Sequence, residues 1–467
     1  MTIEEIIQLE PDEAWSLLTE KEDRLVDAET IESQLNPEEH DVMDTTIRPD
    51  KTVKKYAGKD NAGKSIYTES SQSVNRLAVP FQELIVNRAV GFILGNPVEL
   101  ISNPESDQDV SLFDMVKRSW DKNKMDYVNR EIARTLFSET EVAELWYVVK
   151  DDTFWKEDGI VVRPKVKVLK PSDGNTLIPI FDEYDDMIAF SRLYTIERDD
   201  TDIEVLDVYT AEKIYRFENA DSIGLVDVQT NPFGKIPVIY YSQPYPDWYK
   251  VQMLIDRFET LMSNFADTND YFGSPMVFLN GKVEGFAQKG EQGKVLQGEK
   301  GSTAQYLSWD SAPDAIKLEI ETLKELIYTL TQTPDISFSQ MKGLGNLSGV
   351  ALKMMFLDAH MKVENKIEIM GQMFQRRINI LKKICTIANI KLEPALKTLD
   401  IEPMFTPYLP RNEAEEIDTL TTATGGKAVM SQKTAIKYNP FVQNADAEID
   451  VIAKEAEEAA SRQTYEF

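Results

Sequence analysis

Two amphipathic helical patterns bracket a glycine-rich stretch, and a third, much longer one follows a short glycine-bearing loop. That order constrains the chain more than any single motif. Over 246–267, Val251, Leu254, Ile255, Phe258, Leu261, Met262 and Phe265 recur at helical spacing, which predicts a helix with one buried face. Pro313 opens a second helix through about Gln332. In it Ile316, Ile320, Leu323, Ile327 and Leu330 step by four, three, four and three, a heptad-like seam. Residues 270–312 hold seven of the 21 glycines, with aromatics between them, and read as a small β-rich excursion. Thr333-Pro334-Asp335 breaks the second helix, and the loop Ile336–Ser348 carries Gly343 and Gly345. A helical pattern then runs from Gly349 to about Ile390, about 60 Å if unbroken, with Gly371 a possible bend. A lone helical hairpin buries one side of each helix, so the seam points to helix partners from other copies.

The remaining segments place this core in an α+β chain. Residues 1–50 hold 16 acids and 3 bases and read as a solvated arm with short helices around Pro11–Leu25. Residues 74–95 carry a helical apolar stripe that Gly95 can cap and Asn96-Pro97 ends; 112–138 continue as helix. Short β-rich runs follow at Leu145–Val149, Ile160–Leu169, Thr176–Phe181, Met187–Ile196, Ile203–Tyr209 and Lys213–Phe217. No crossover helix separates them, so they predict one antiparallel meander. Lys391–Pro410 returns to strand and loop, and 411–467 reads as short helices. Six of the 16 methionines fall in 341–373; Met repacks easily, and a plastic helix core is the expectation.

Chemistry is sparse. The single cysteine, Cys385, excludes an intrachain disulfide, and two distant histidines, His40 and His360, exclude a Cys/His zinc cluster and disfavour a His-based triad. No stretch reaches the length of a membrane span. A net charge of -29 argues against a whole-surface grip on nucleic acid, which needs clustered Lys and Arg. Gly58–Ser65 satisfies the phosphate-loop pattern, and Asp182–Glu183 ends a strand-like run resembling the acidic strand that positions magnesium in phosphate-loop ATPases. A phosphate loop needs a buried strand before it and a helix after it. TVKKYA before and IYTESSQS after supply neither, and Pro179 argues against a central strand. An exposed strand pair is the expectation for the first and a solvated turn for Asp182–Asp186. Asn346-Leu347-Ser348 fits the glycosylation pattern, but the N-terminus reads as no signal peptide.

The strings RAVGFILGNPV at 88–98, NPFGKIPVIYY at 231–241 and SGVALKMMF at 348–356, in this order, resemble the portal (head-to-tail connector) proteins of tailed bacteriophages. The resemblance covers about 75–410. It implies a non-enzymatic homo-oligomeric ring, usually of twelve, at a capsid vertex of the virion, assembled in the host cytoplasm. It implies the terminase, head–tail adaptors and the major capsid protein as partners, and double-stranded DNA passing non-specifically through the channel. No cofactor, metal or membrane is implied. By the same resemblance 1–245 is arm and wing, 246–269 and 313–335 are stem helices, and 270–312 is the clip. Residues 336–348 are the tunnel loop, 349–410 the long wing helix and return strand, and 411–467 a short crown. In the tunnel loop Gln340, Lys342, Gly343, Gly345 and Asn346 are the DNA-facing candidates; in the clip Phe278, Phe286, Tyr306 and Trp309 are the adaptor-binding ones. The alternative is a terminase-like ATPase using Gly58–Ser65.

Overall fold

The computed structural model describes residues 2–155, 160–272, 276–280, 283–285, 297–298, 301, 303–307, 313–336, 354–408, 413–439, 441–442 and 444–463. Three short helices come first: α1 (Ile3–Ile7), α2 (Pro11–Leu18) and α3 (Ala28–Leu35). A hairpin of β1 (Lys51–Lys59) and β2 (Ser65–Gln72) follows, then α4 (Phe81–Leu94) and β3 (Glu99–Ser102). The predicted helix over 112–138 is two, α5 (Asp107–Lys122) and α6 (Met125–Glu139). A capping box between Ser106 and Asp109 starts α5, and Lys124, with φ of 55°, turns the chain into α6.

The predicted single meander is two sheets. Strands β6 (Thr176–Phe181), β7 (Met187–Arg198), β8 (Thr201–Tyr209), β9 (Lys213–Asn219) and β10 (Ile223–Thr230) form a five-stranded antiparallel meander. Pro179 lies in β6, an edge strand, where a proline is tolerated. The two earlier runs, β4 (Glu141–Lys150) and β5 (Val162–Leu169), instead pair with each other, and β11 (Val238–Ser242) takes the other edge of β4. The reason is local. A turn at Pro171–Asp173, closed by Gly174 with φ of 76°, leads the chain away after β5. The NPFG turn then returns it: Asn231 Nδ2 donates to the carbonyls of Thr210 and Lys235, both at 2.8 Å, and Gly234 has φ of 60°.

The acidic arm is not simply solvated. Ile3, Ala14 and Leu18 are buried on the meander against Ala189, Leu206, Val208, Tyr215 and Phe217. Lys21 and Arg24 both reach buried Glu141 at 2.7 Å. The acids lie on the outward side of helices whose few apolar residues face the sheet, and burying a Leu or Ile side chain contributes about 1.5–3 kcal/mol.

The main core lies where α4, α5, α6 and the β11-β4-β5 sheet meet the long helix α9 (Leu357–Ala388) and the pair α7 (Gln252–Phe272) and α8 (Pro313–Leu330). Between α7 and α8, β12 (Met276–Asn280) pairs with β15 (Thr303–Leu307), and β13 (Val283–Gly285) with β14 (Gln297–Gly298). The long helix is shorter than its pattern. Met354 and Met355 are helical, Phe356 interrupts, and 32 continuous residues follow, about 48 Å, running through Gly371. Residues 349–353 lie outside the described residues. A 3-10 turn at Ile390–Leu392 and α10 (Ala395–Thr398) precede β16 (Ile401–Met404), which pairs with β3. The chain ends in α11 (Glu413–Thr424), α12 (Gln432–Lys437) and α13 (Ala445–Gln463).

Gly95 does not cap α4 in the left-handed region; its φ is -64°. Its small size serves close approach, because an added Cβ would meet the Cβ of Tyr408 at 2.7 Å. The methionine-rich stretch is only partly core: Met370 is fully buried and Met373 half-buried, whereas Met354, Met355 and Met361 are exposed. Met341 lies outside the described residues.

Candidate functional site: the supports of residues 337–353

Gln340, Lys342, Gly343, Gly345 and Asn346 lie outside the described residues, as does Asn346-Leu347-Ser348. The supports on either side are described. On the entry side, the seam of α8 (Leu323 and Ile327 buried, Ile316 and Ile320 partly so) packs within its own chain on α7. Phe81 of α4 stands edge-on to Phe258 of α7 at 5.2 Å and to Tyr328 of α8 at 6.1 Å. Leu323 and Ile327 are thus covered within the chain, whereas Ile316 and Ile320 are only partly covered and Leu330 is exposed.

Past Leu330 the chain is held by charge. Arg88 of α4 donates from Nη1 to the Pro334 carbonyl at 2.6 Å and stacks over the Tyr328 ring at 5.1 Å. Lys324 pairs with Asp335 at 2.8 Å. On the exit side, Phe356 is buried edge-on to Phe92 at 5.8 Å, so two of the sequence strings, 88–98 and 348–356, meet in space. Lys362 of α9 donates to the Thr331 carbonyl at 3.1 Å and pairs with Asp247 at 2.9 Å. Lys366, one turn on, reaches the other Asp247 oxygen at 2.5 Å and Gln243 at 2.7 Å. One side chain, Lys362, thus ties the end of α8 to the start of α9, and Asp247 holds both lysines.

Burial alone would raise the Asp247 carboxyl, but Lys362 and Lys366 outweigh it and hold it below the ordinary carboxylate range. Burial lowers Lys366, and Asp247 only partly offsets that. Deeper in, Arg377 of α9 places Nε 2.9 Å from both oxygens of Glu144 and donates to Tyr241 at 3.1 Å, all three side chains fully buried. Tyr241 belongs to the third string, 231–241, whose role here is structural. Nothing in the local pattern of the sequence marks Arg377, Lys362 or Lys366 as interior, because each stands one position from a surface residue on a mixed helix.

Of the other candidates, Phe278 pairs in register with Gln305 and Tyr306 with Val277, so β12 and β15 bring them to adjacent, not facing, positions. Phe286 and Trp309 lie outside the described residues. Gly58–Ser65 is the tip of the β1–β2 hairpin, two strand ends joined by a turn over 60–64. Asp60 Oδ1 accepts the N–H groups of Ala62 at 2.9 Å and Lys64 at 2.8 Å, which occupies donors that a phosphate would need, and a strand rather than a helix follows. Asp182 Oδ1 closes the β6–β7 turn in the same way, accepting from Tyr184 and Asp186. The ATPase alternative has no strand–loop–helix to stand on. His40 is buried, 2.7 Å from Glu259 of α7 and 2.9 Å from the Gln34 carbonyl, a tether for the arm. Cys385 is buried, and burial pushes its thiol up to about 12.

The sequence model of the family described as phage portal protein, SPP1 Gp6-like, matches residues 17–462, and the chain belongs to that family. Portal proteins are structural channel proteins of phage and phage-like particles and not enzymes. A relative named Portal protein, from Bacillus phage SPP1, is 20% identical over 437 residues, covering 86% of this chain and 80% of that protein. Among solved structures, a chain of the neck of an empty gene transfer agent (GTA) particle is 12% identical at a TM-score of 0.40, covering 76% of this chain and 86% of that one. A chain of the native GTA virion is 13% identical at 0.36, covering 76% and 87%.

Proposed function

We propose that copies of the chain, twelve as portals usually have, close into a ring at a capsid vertex. Through it a terminase drives double-stranded DNA during packaging, and through it DNA later leaves. In this reading 1–245 form arm and wing, 246–269 and 313–335 the stem, 336–348 the tunnel loop, and 349–410 the long wing helix and return strand. Residues 270–312 form a clip that meets first the terminase and then the head–tail adaptors, with Phe278, Phe286, Tyr306 and Trp309 as contacts. Residues 411–467 form the crown inside the capsid, where the ring is held by the major capsid protein. Assembly begins in the host cytoplasm.

The observation that carries the reading is the bracing of both ends of 337–353. Arg88, Lys362, Lys366 and Asp247 fix the ends on one rigid base, while the segment between holds Gln340, Lys342, Gly343, Gly345 and Asn346. That is the construction a channel loop needs: firm supports and, at Gly343 and Gly345, backbone freedom to follow a helical cargo. Charge fits as well. DNA carries one charge per about 1.7 Å, and a chain of net -29 lets it slide rather than stick. One lysine per subunit at Lys342 supplies a sparse ring of phosphate contacts.

Electron microscopy of the purified full-length chain, with mass measurement, tests this. A closed ring with a central hole and 336–348 at its inner wall is expected. A monomer, a disc without a hole, or that segment on the outer perimeter overturns it.

A further inference from the structure

Residues 51–72 form a hairpin that no described element of its own chain covers. β1 and β2 pair from Lys51↔Gln72 to Lys59↔Ser65, with a bulge between Tyr56 and Gly58. No strand residue is buried, and only Val53, Gly58 and Ser70 are half-buried. Tyr56 is 59% exposed, Tyr67 56% and Ile66 45%. An isolated two-stranded hairpin is marginal in water, and both of its edges offer unpaired backbone groups. Its foot, by contrast, is firm. Arg48 and Lys51 pair with Asp267 of α7 at 2.9 and 3.1 Å, and the Asn75 amide donates to the same carboxylate at 2.7 Å. From that foot nine strand residues reach about 30 Å.

Its charge is also opposite to that of the rest. Lys51, Lys54, Lys55, Lys59 and Lys64 stand against Asp60 and Glu69, a net of +3; the chain totals -29, so the other residues carry -32.

We propose that the hairpin docks on the acidic surface of a neighbouring copy of this chain, its lysines facing carboxylates and Tyr56, Tyr67 and Ile66 buried in the contact. This rests on the ring reading above. Two observations favour a copy over DNA. Tyr56 and Tyr67 face each other in register on one side of the hairpin and Ile66 lies on the other, so both sides carry apolar groups that a protein would bury. Lys54 is already faced by Glu69 at 3.6 Å, which dilutes any phosphate grip. A neighbouring copy supplies the complementary charge in every ring.

The test uses the full-length chain and two exposed-site variants, Lys55→Glu with Lys59→Glu, and Tyr56→Ser with Tyr67→Ser. Light scattering against concentration and salt reads assembly, and thermal unfolding of the dissociated chain checks the fold. Each variant is expected to raise the assembly midpoint about tenfold or more, with unfolding unchanged. In rings mixed from light and heavy isotope-labelled chains, zero-length amine–carboxyl cross-linking is expected to join hairpin lysines to carboxylates of the other label. Rings with unchanged midpoints and only same-label links overturn the proposal. Unchanged midpoints with lost DNA retention overturn it too, and assign the hairpin to DNA. A wild-type chain that stays monomeric removes the ring reading itself, and the hairpin proposal falls with it.

Discussion

Asp247 meets two lysines of one helix in a buried site, and each lysine carries a second tie, Lys362 to the Thr331 carbonyl and Lys366 to Gln243. Asp247→Ala leaves both cations buried without their counter-charge. It is expected to cost about 3–5 kcal/mol in urea unfolding, more than Lys366→Met, which removes one of two cations. The His40–Glu259 pair makes a pH prediction. Burial alone would lower His40, but Glu259, with Asp256 nearby, outweighs it and raises it above the ordinary value. A raised folded value means the stabilisation is complete below about pH 6.5 and is lost as pH rises through the folded value. Proteolysis within residues 1–50 should therefore speed up as pH rises, and in His40→Gln it should be fast and nearly pH-independent. Neither site was legible in the sequence. Asp247 lies in a run of aromatics without periodicity, and His40 gains its partner from 219 positions away.

At the scale of elements, periodicity served well wherever an element has one buried face. α7, α8 and the strands β6 to β9 carry that face in their apolar spacing and lie where it predicts. β10 escaped because it is an edge strand whose residues are mostly exposed, so no alternation is written into it. β11 escaped because it is five residues long and nearly apolar throughout. The arm was misread because its 16 acids outnumber the few apolar residues that dock it. Leu18, fully buried on the meander, is the measure of that docking. Leu18→Ala is expected to cost about 2–5 kcal/mol, and removing residues 2–25 to uncover Tyr215 and Phe217 and increase binding of an apolar dye.

For the whole molecule, the heptad-like seam of α8 pointed to other copies; α7 and α4 of the same chain cover Leu323 and Ile327 and leave the rest of the seam partly open. Leu330 of the seam stays exposed, and the β1–β2 hairpin is the contact between copies proposed above. The channel reading places its own prediction here. Deleting Gly343–Gly345 is expected to leave ring assembly unchanged by electron microscopy and to reduce packaged or retained DNA. Normal packaging by that variant would remove the role proposed for the loop.

Element order, the α+β class, the absence of a disulfide and the likeness to portals were all determined by the linear chain, because each rests on residue type and spacing. Tertiary structure alone decided the division of the strands into two sheets, the docking of the acidic arm, and the meeting of Arg88, Lys362 and Asp247 around both ends of 337–353. Those depend on contacts between residues tens to hundreds of positions apart, and a buried charge is recognisable only once its partner stands beside it.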